Sequence, residues 1–188
     1  MSRWEPNARG RLEEAALDLY TERGFDQTTV AEIAERAGLT ERTYFRHFAD
    51  KREVLFGGQD ALIELVTTHL AEAPDSASPI DMVRGALRGV GEMFADRHAH
   101  ARRRQAVINA NPGLQERELI KLASLSAAIA EGLQHRGVPA PVAALTAETA
   151  IAIFKVAFVR WLDAGRNSDL SEVIGDSLDD LKALTADT

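Results

Sequence analysis

Cysteine is absent from all 188 residues, which excludes disulfides, thiolate metal sites and cysteine nucleophiles. The chain also lacks a glycine-rich phosphate loop, a Gly-x-Ser-x-Gly elbow and a His-Glu-x-x-His pair. Its carboxylates are plentiful but scattered over charged faces, so the chain does not read as an enzyme. His98 and His100 are two residues apart and diverge by about 200° on a helix, which argues against a metal pair. No cofactor motif is present. Nothing alternates with the period of a strand, and no segment repeats. The longest apolar-rich run, residues 150–162, is interrupted by Lys155 and Arg160, so no membrane span is expected. Residues 1–6 lead into no apolar stretch, so no signal peptide is expected, and the reading is of a cytoplasmic protein.

What is present is foldable and helix-forming. Hydrophobic residues make up 45% and charged residues 27%, enough to bury a core. Aromatics are only 6%, while alanine and leucine abound, which favours helix. The formal net charge of −7 argues against general stickiness towards nucleic acid. One stretch reverses the sign: between residues 40 and 52, Arg42, Arg46, Lys51 and Arg52 outnumber Glu41 and Asp50. An acidic protein with one basic face can bind phosphate through local contacts, while its acidic remainder weakens non-specific binding.

The spacing of apolar residues predicts an all-α fold of about nine helices. Leu12, Ala16, Leu19 and Tyr20 mark the first, over residues 9–23, with Gly24 as its stop and Phe25 as a core plug. Thr29 opens the second, and Glu32 three residues on completes a capping box. Asp50 and Glu53 repeat that box at the head of a longer helix to about residue 71. Residues 72–79 form a breaker-rich linker. Ile80, Val83, Leu87, Val90 and Phe94 mark the next helix. Residues 98–110 are less periodic and carry Arg102, Arg103 and Arg104, a run that could meet an anionic ligand but reads better as a solvated face, because three consecutive helical residues point three ways. Asn111, Pro112 and Gly113 read as a turn. Leu122, Leu125, Ile129 and Leu133 define a helix closed by Gly137 and Pro139. Pro141 opens the longest apolar segment, which ends at Gly165, and Leu170, Val173, Ile174, Leu178, Leu181 and Leu184 define the last helix.

Residues 28–48, TTVAEIAERAGLTERTYFRHF, hold the most informative pattern. Val30, Ile33, Ala34 and Ala37 form a helical stripe, a tight turn follows at residues 37–40, and Thr40 is a good N-cap for a second helix bearing Arg42, Arg46 and His47. A short helix, a glycine turn and a helix with exposed cations is the pattern of a DNA-binding helix-turn-helix. Tyr44 and Phe48 are four apart and share the core side, which leaves Glu41, Arg42, Phe45 and Arg46 on other faces. Arg42 is the best candidate for base readout, since a guanidinium can grip guanine O6 and N7. Thr29 and Thr40 cap their helices, and a phosphate could meet the free amides near Thr29.

Residues 25–51 strongly resemble the N-terminal domain of the tetracycline-repressor (TetR) family, and Ala15, Ala16, Arg23 and Gly24 fit the same pattern. The helix count, the chain length and an amphipathic C-terminal helix pair fit too. Residues 102–114 and 160–162 look like a subgroup common among high-GC bacteria. The resemblance implies a helix-turn-helix DNA-binding domain over residues 1–52 and a ligand-binding and dimerisation domain over 53–188. It implies that Thr43 and His47 contact phosphate, and that Lys51 is a phosphate-binding lysine. The family usually carries tyrosine where this chain has Phe45, so a phenol oxygen is missing there, and Phe45 is left to touch a thymine methyl or a sugar.

Helix-turn-helix proteins that read operators usually work as two-fold dimers. The segment over residues 150–162 is apolar on almost every face and needs burial all round. Ile151, Phe154 and Phe158, with Leu178 and Leu181 of the last helix, are the candidate dimer surface, a four-helix interface. Phe94, Gln105, Asn109 and Trp161 are candidates for an effector pocket. The expected function is a ligand-responsive repressor. Its partners are a palindromic double-stranded operator, a small-molecule effector and a second copy of itself. The alternatives are an activator of the same fold and a helical interaction module without DNA.

Overall fold

The computed structural model describes residues 7–165 and 168–186; residues 1–6, read above for a signal peptide, lie outside them. Among the described residues there are nine α-helices, one 3-10 turn and no strand. The helices are α1 (Ala8–Arg23), α2 (Val30–Arg36), α3 (Glu41–His47), α4 (Gln59–Glu72), α5 (Pro79–Met93), α6 (His98–Asn109), α7 (Pro112–His135), α8 (Ala140–Ala164) and α9 (Leu170–Ala186). They belong to two compact units that interleave along the chain. One comprises the residues up to Gly58 together with Arg102–Glu118, the other Gln59–Ala101 together with the residues from Leu119 onward.

The first unit packs α1, α2, α3 and a 3-10 turn at Glu53–Leu55 around Leu12, Ala16, Leu19, Tyr20, Ile33 and Tyr44. The apolar stripe expected for α1 is buried as a set. Val107, Ile108 and Leu114 join this core from the end of α6 and the start of α7. The long helix expected from Asp50 is corrected: Asp50 does cap the chain through the amides of Arg52 and Glu53, at 2.7 and 3.2 Å, but only a 3-10 turn follows. Gly57 and Gly58 then interrupt the helix before α4, as two residues of poor helix propensity in succession do. The turn expected at residues 111–113 is shorter than that, because Pro112 already stands in α7, where a first-turn proline loses no helical hydrogen bond.

The second unit packs α4 against α5, and α5 and α8 against α9, around Leu70, Leu87, Ile129, Leu133, Ala147, Ala157 and Trp161. α8 corrects a second expectation. Its 25 residues include an 18-residue window of mean hydropathy 1.8, long and apolar enough to cross a membrane, because Lys155 and Arg160 do not interrupt the helix. Half of that window is buried inside the protein. Its inner face is Ala143, Ala147, Ala150, Ile153, Ala157 and Trp161, at helical spacing.

Candidate nucleic-acid interface

The helix-turn-helix is fixed by capping at each junction. Thr29 closes the capping box on α2: its hydroxyl accepts from the Glu32 amide at 3.3 Å, and its own amide donates to Glu32 Oε2 at 2.8 Å. These bonds hold the Glu32 carboxyl below its ordinary range. They occupy the amides of Thr29 and Glu32, two of those at the head of α2. α2 ends at Ala37, and Gly38 follows at φ +65°, a left-handed conformation that glycine takes without a Cβ penalty. The Arg11 guanidinium of α1 donates to the Ala37 carbonyl and ties down this turn. Thr40 then caps α3 by accepting from the Thr43 amide at 3.2 Å, and the two threonine hydroxyls lie 3.1 Å apart.

α3 turns Tyr44 and Phe48 inward, as their spacing requires; both are buried, with ring centres 5.3 Å apart. The Tyr44 hydroxyl donates to the Asp50 carbonyl at 3.1 Å, and the Tyr20 hydroxyl donates to the Lys51 carbonyl at 2.7 Å. Two buried phenols thereby pin the turn that follows α3. Burial, with smaller contributions from nearby charge, pushes both phenol groups well above their ordinary range, so they remain protonated donors.

The opposite face of α3 carries Glu41, Arg42, Phe45 and Arg46, all exposed. In the first unit Arg9, Arg23, Arg36, Arg52, Arg103, Arg104 and Arg117 are each held by a carboxylate or a carbonyl. Among the described residues Arg42, Arg46 and Arg102 have no such partner. His47 is half-buried beside Phe48, and its Nε2 is buried without a partner. Lys51 is occupied internally: its ammonium donates to the carbonyls of Phe25 and Thr28 at 2.8 and 3.0 Å. Two of its three hydrogens therefore hold the loop between α1 and α2. Arg9 and Arg11 are likewise anchors, bonded to Gly57 and Ala37.

The tetR model of bacterial regulatory proteins matches residues 12–57, and the model of the MftR C-terminal domain matches residues 77–186. The chain belongs to the TetR family. TcmR of Streptomyces glaucescens, a helix-turn-helix transcriptional regulator, is 38% identical over 82 residues, 44% of this chain and 36% of TcmR. The chain thus spans about a third of that relative's length. MftR of Mycobacterium tuberculosis strain ATCC 25618 / H37Rv, a transcriptional regulator named for mycofactocin biosynthesis, is 28% identical over 185 residues, 89% of this chain and 86% of MftR. Among solved structures, the TetR-family repressor FadR of Thermus thermophilus, in complex with lauroyl-CoA, superimposes with a TM-score of 0.53 at 25% identity, covering 90% of this chain and 91% of that one. The family and these relatives are transcriptional regulators.

In the second unit of this TetR-family chain, two of the four pocket candidates come together. Phe94 and Trp161 meet edge to face at 6.0 Å and line a cleft of about 420 Å³ with Ala95, His98, Ser168 and Leu170. Trp161 Nε1 donates to the Ser168 carbonyl at 2.8 Å, and its own carbonyl is 3.1 Å from His98 Nε2. Gln105 and Asn109 belong to the first unit, where Gln105 Nε2 donates to Asn109 Oδ1 at 3.0 Å and to Glu118 Oε2 at 3.1 Å.

The candidate dimer residues sit largely inside their own unit. Ile151 and Leu178 are buried in its core, and Phe154, Phe158 and Leu181 pack against it. The outward face of α8 is a different set: Val142, Leu145, Ala152, Val156 and Val159 are exposed. Leu145, Val156 and Val159 have 71%, 54% and 57% of their surfaces open. Helical periodicity gave no means of choosing between these faces, since both are apolar.

Sequence reading also missed the arginines of α6. Arg103 pairs with Glu14 and Asp18 of α1. Arg104 donates to the Leu55 carbonyl at 2.7 Å, lies 5.0 Å from the centre of the Phe56 ring and pairs with Glu118. Burial lowers the Arg104 pKa, and the Glu118 carboxylate opposes that shift. Arg117 pairs with Glu53.

Proposed function

We propose that the chain is a cytoplasmic repressor that binds a palindromic operator as a homodimer and is released by a small-molecule effector. The observation that carries this reading is the outer face of α3. Arg42 and Arg46 are unpaired on a helix whose other side is locked into a core, whereas most neighbouring arginines are bonded within the protein. Unpaired guanidinium groups on a helix whose backbone is fixed suit guanine edges and phosphate oxygens. Thr40 caps the N-terminal end of the same helix and Thr43 stands in its first turn, where a flanking phosphate would meet their hydroxyls, while His47 at the other end would have to turn its buried Nε2 outward to join them. The part of Thr29 in DNA binding is to fix α2, and Lys51 offers phosphate only its remaining hydrogen.

Dimerisation is assigned to the outward face of α8. Val142, Leu145, Ala152, Val156 and Val159 fall three and four residues apart around Thr149, the spacing of a helix–helix seam. The effector is assigned to the cleft at Phe94 and Trp161, whose volume lies within the range of small-molecule sites. An effector that binds better to a conformation with unsuitable half-site spacing lowers operator affinity by linkage. The test is a gel-shift titration with duplex from the region upstream of the protein's own gene. Salt-sensitive binding is expected, and its absence at low salt would overturn the reading.

A further inference from the structure

Phe45 is the exposed large apolar side chain of the first unit: among the described residues, every other large hydrophobic left exposed lies in the second unit. The residue is 54% open to solvent. The ring meets Tyr44 edge to face, with centres 5.6 Å apart and planes at 80°, and Tyr44 is wholly buried with its hydroxyl bonded to Asp50. An apolar group on an otherwise polar helix face has little to offer phosphate, because it has no donor. The apolar feature that the major groove presents is the 5-methyl group of thymine.

We infer that Phe45 reads a thymine methyl in each operator half-site, next to a guanine read by Arg42; this rests on the operator-binding reading above. The two side chains are three residues apart and share one face of α3. Three residues of helix rise about 4.5 Å, and base pairs stack at about 3.4 Å, so the thymine falls within one or two base pairs of the guanine. Arg42 supplies a two-pronged donor to O6 and N7, and Phe45 supplies an apolar surface that a base-edge methyl group fits. Together they make the half-site asymmetric: a polar purine contact on one side, an apolar pyrimidine contact on the other.

The test uses the full chain and its operator duplex. Each thymine of one half-site is replaced singly by deoxyuridine, which removes only the methyl group, and each guanine by 7-deazaguanine, which removes N7. One deoxyuridine is expected to weaken binding about fourfold, the value of one methyl-sized apolar group. It should lie within two base pairs of a guanine whose N7 is also required. In Phe45→Ala, thymine and deoxyuridine duplexes should bind equally. Uniform binding of all deoxyuridine duplexes by the unmodified protein assigns Phe45 to a sugar and overturns the inference. So does a methyl preference that survives in Phe45→Ala. The substitution-free scan decides the matter even if that variant folds poorly. Binding of no duplex at all would instead remove the operator-binding reading on which the inference stands.

Discussion

The Lys51 ammonium donates to the backbone oxygen of Phe25 at 2.8 Å and lies 4.2 Å from the centre of the same residue's ring. One side chain thus closes the loop that delivers α2 to the helix-turn-helix, by a charge-assisted hydrogen bond and a cation–π contact. The phosphate contact that the family resemblance implies at this position would be made by a lysine that is already oriented.

Lys51→Met should therefore lower stability as well as operator affinity. Hydrogen bonds to a charged group contribute about 1.5–3 kcal/mol, and partial exposure of Lys51 places the expected loss near the lower end. Thermal melts and salt-dependent binding separate the two roles. An unchanged melting temperature with a salt slope smaller by about one would mean that Lys51 contacts phosphate and nothing more.

Arg42→Ala should behave in the opposite manner. Arg42 is exposed and has no partner among the described residues, so its removal leaves no broken internal bond. Specific operator binding should fall by about 1–3 kcal/mol while the melting temperature stays put. Undiminished operator affinity in the folded variant would refute its base-reading role.

The difference between these residues shows what the sequence could tell. Features written in local spacing were legible: the capping box at Thr29 and Glu32, the Thr40 cap, and the inward pair Tyr44 and Phe48. Each depends on residues three or four apart. Features that depend on distant partners were not. Arg103 and Arg104 look like a solvated run until Glu14, Asp18 and the Leu55 carbonyl arrive from far along the chain. The interleaving of the two units has the same origin, since a linear cut after residue 52 cannot separate residues 102–118 from the segments that flank them. Gln105 and Asn109 followed the same path: their helix is shared between units, and hydrophobicity does not mark where one ends.

The capping box also sets a pH dependence. The Thr29 amide, then its hydroxyl, bond the Glu32 carboxylate and hold its folded-state pKa below the ordinary value. A depressed carboxylate pKa contributes stability that is complete above the unfolded-state value and is lost as pH falls through the folded-state value. Asp50 adds to the same trend: burial pushes its carboxyl up, but hydrogen bonds from the Arg52 side chain and from the amides of Arg52 and Glu53 bring it below its ordinary range. Melting temperatures measured from about pH 7 down to about pH 3 should decline on the acid side, and Glu32→Gln should make that decline shallower. A decline of unchanged steepness in Glu32→Gln would assign the acid sensitivity elsewhere.

The two apolar faces of α8 make opposite predictions for a buried charge. Phe158 stands in an aromatic cluster, with ring centres 5.5 Å from Phe154, 5.6 Å from Phe94 and 5.6 Å from Trp161, so Phe158→Glu should damage the fold of its own unit. Val156 is more than half exposed and lies outside the core of its unit, so Val156→Glu should leave helical content and melting of the monomer nearly intact. If this face is the two-fold interface, each substitution appears twice in it, and the added carboxylates would have to be buried there without a counter-charge. Sedimentation of Val156→Glu should therefore show monomer at concentrations where the parent chain is dimeric, with operator binding weakened because one half-site cannot hold the second subunit in place. A native-like dimer in Val156→Glu would place the interface on another face, and dissociation by Phe158→Glu without loss of fold would return it to the inner one.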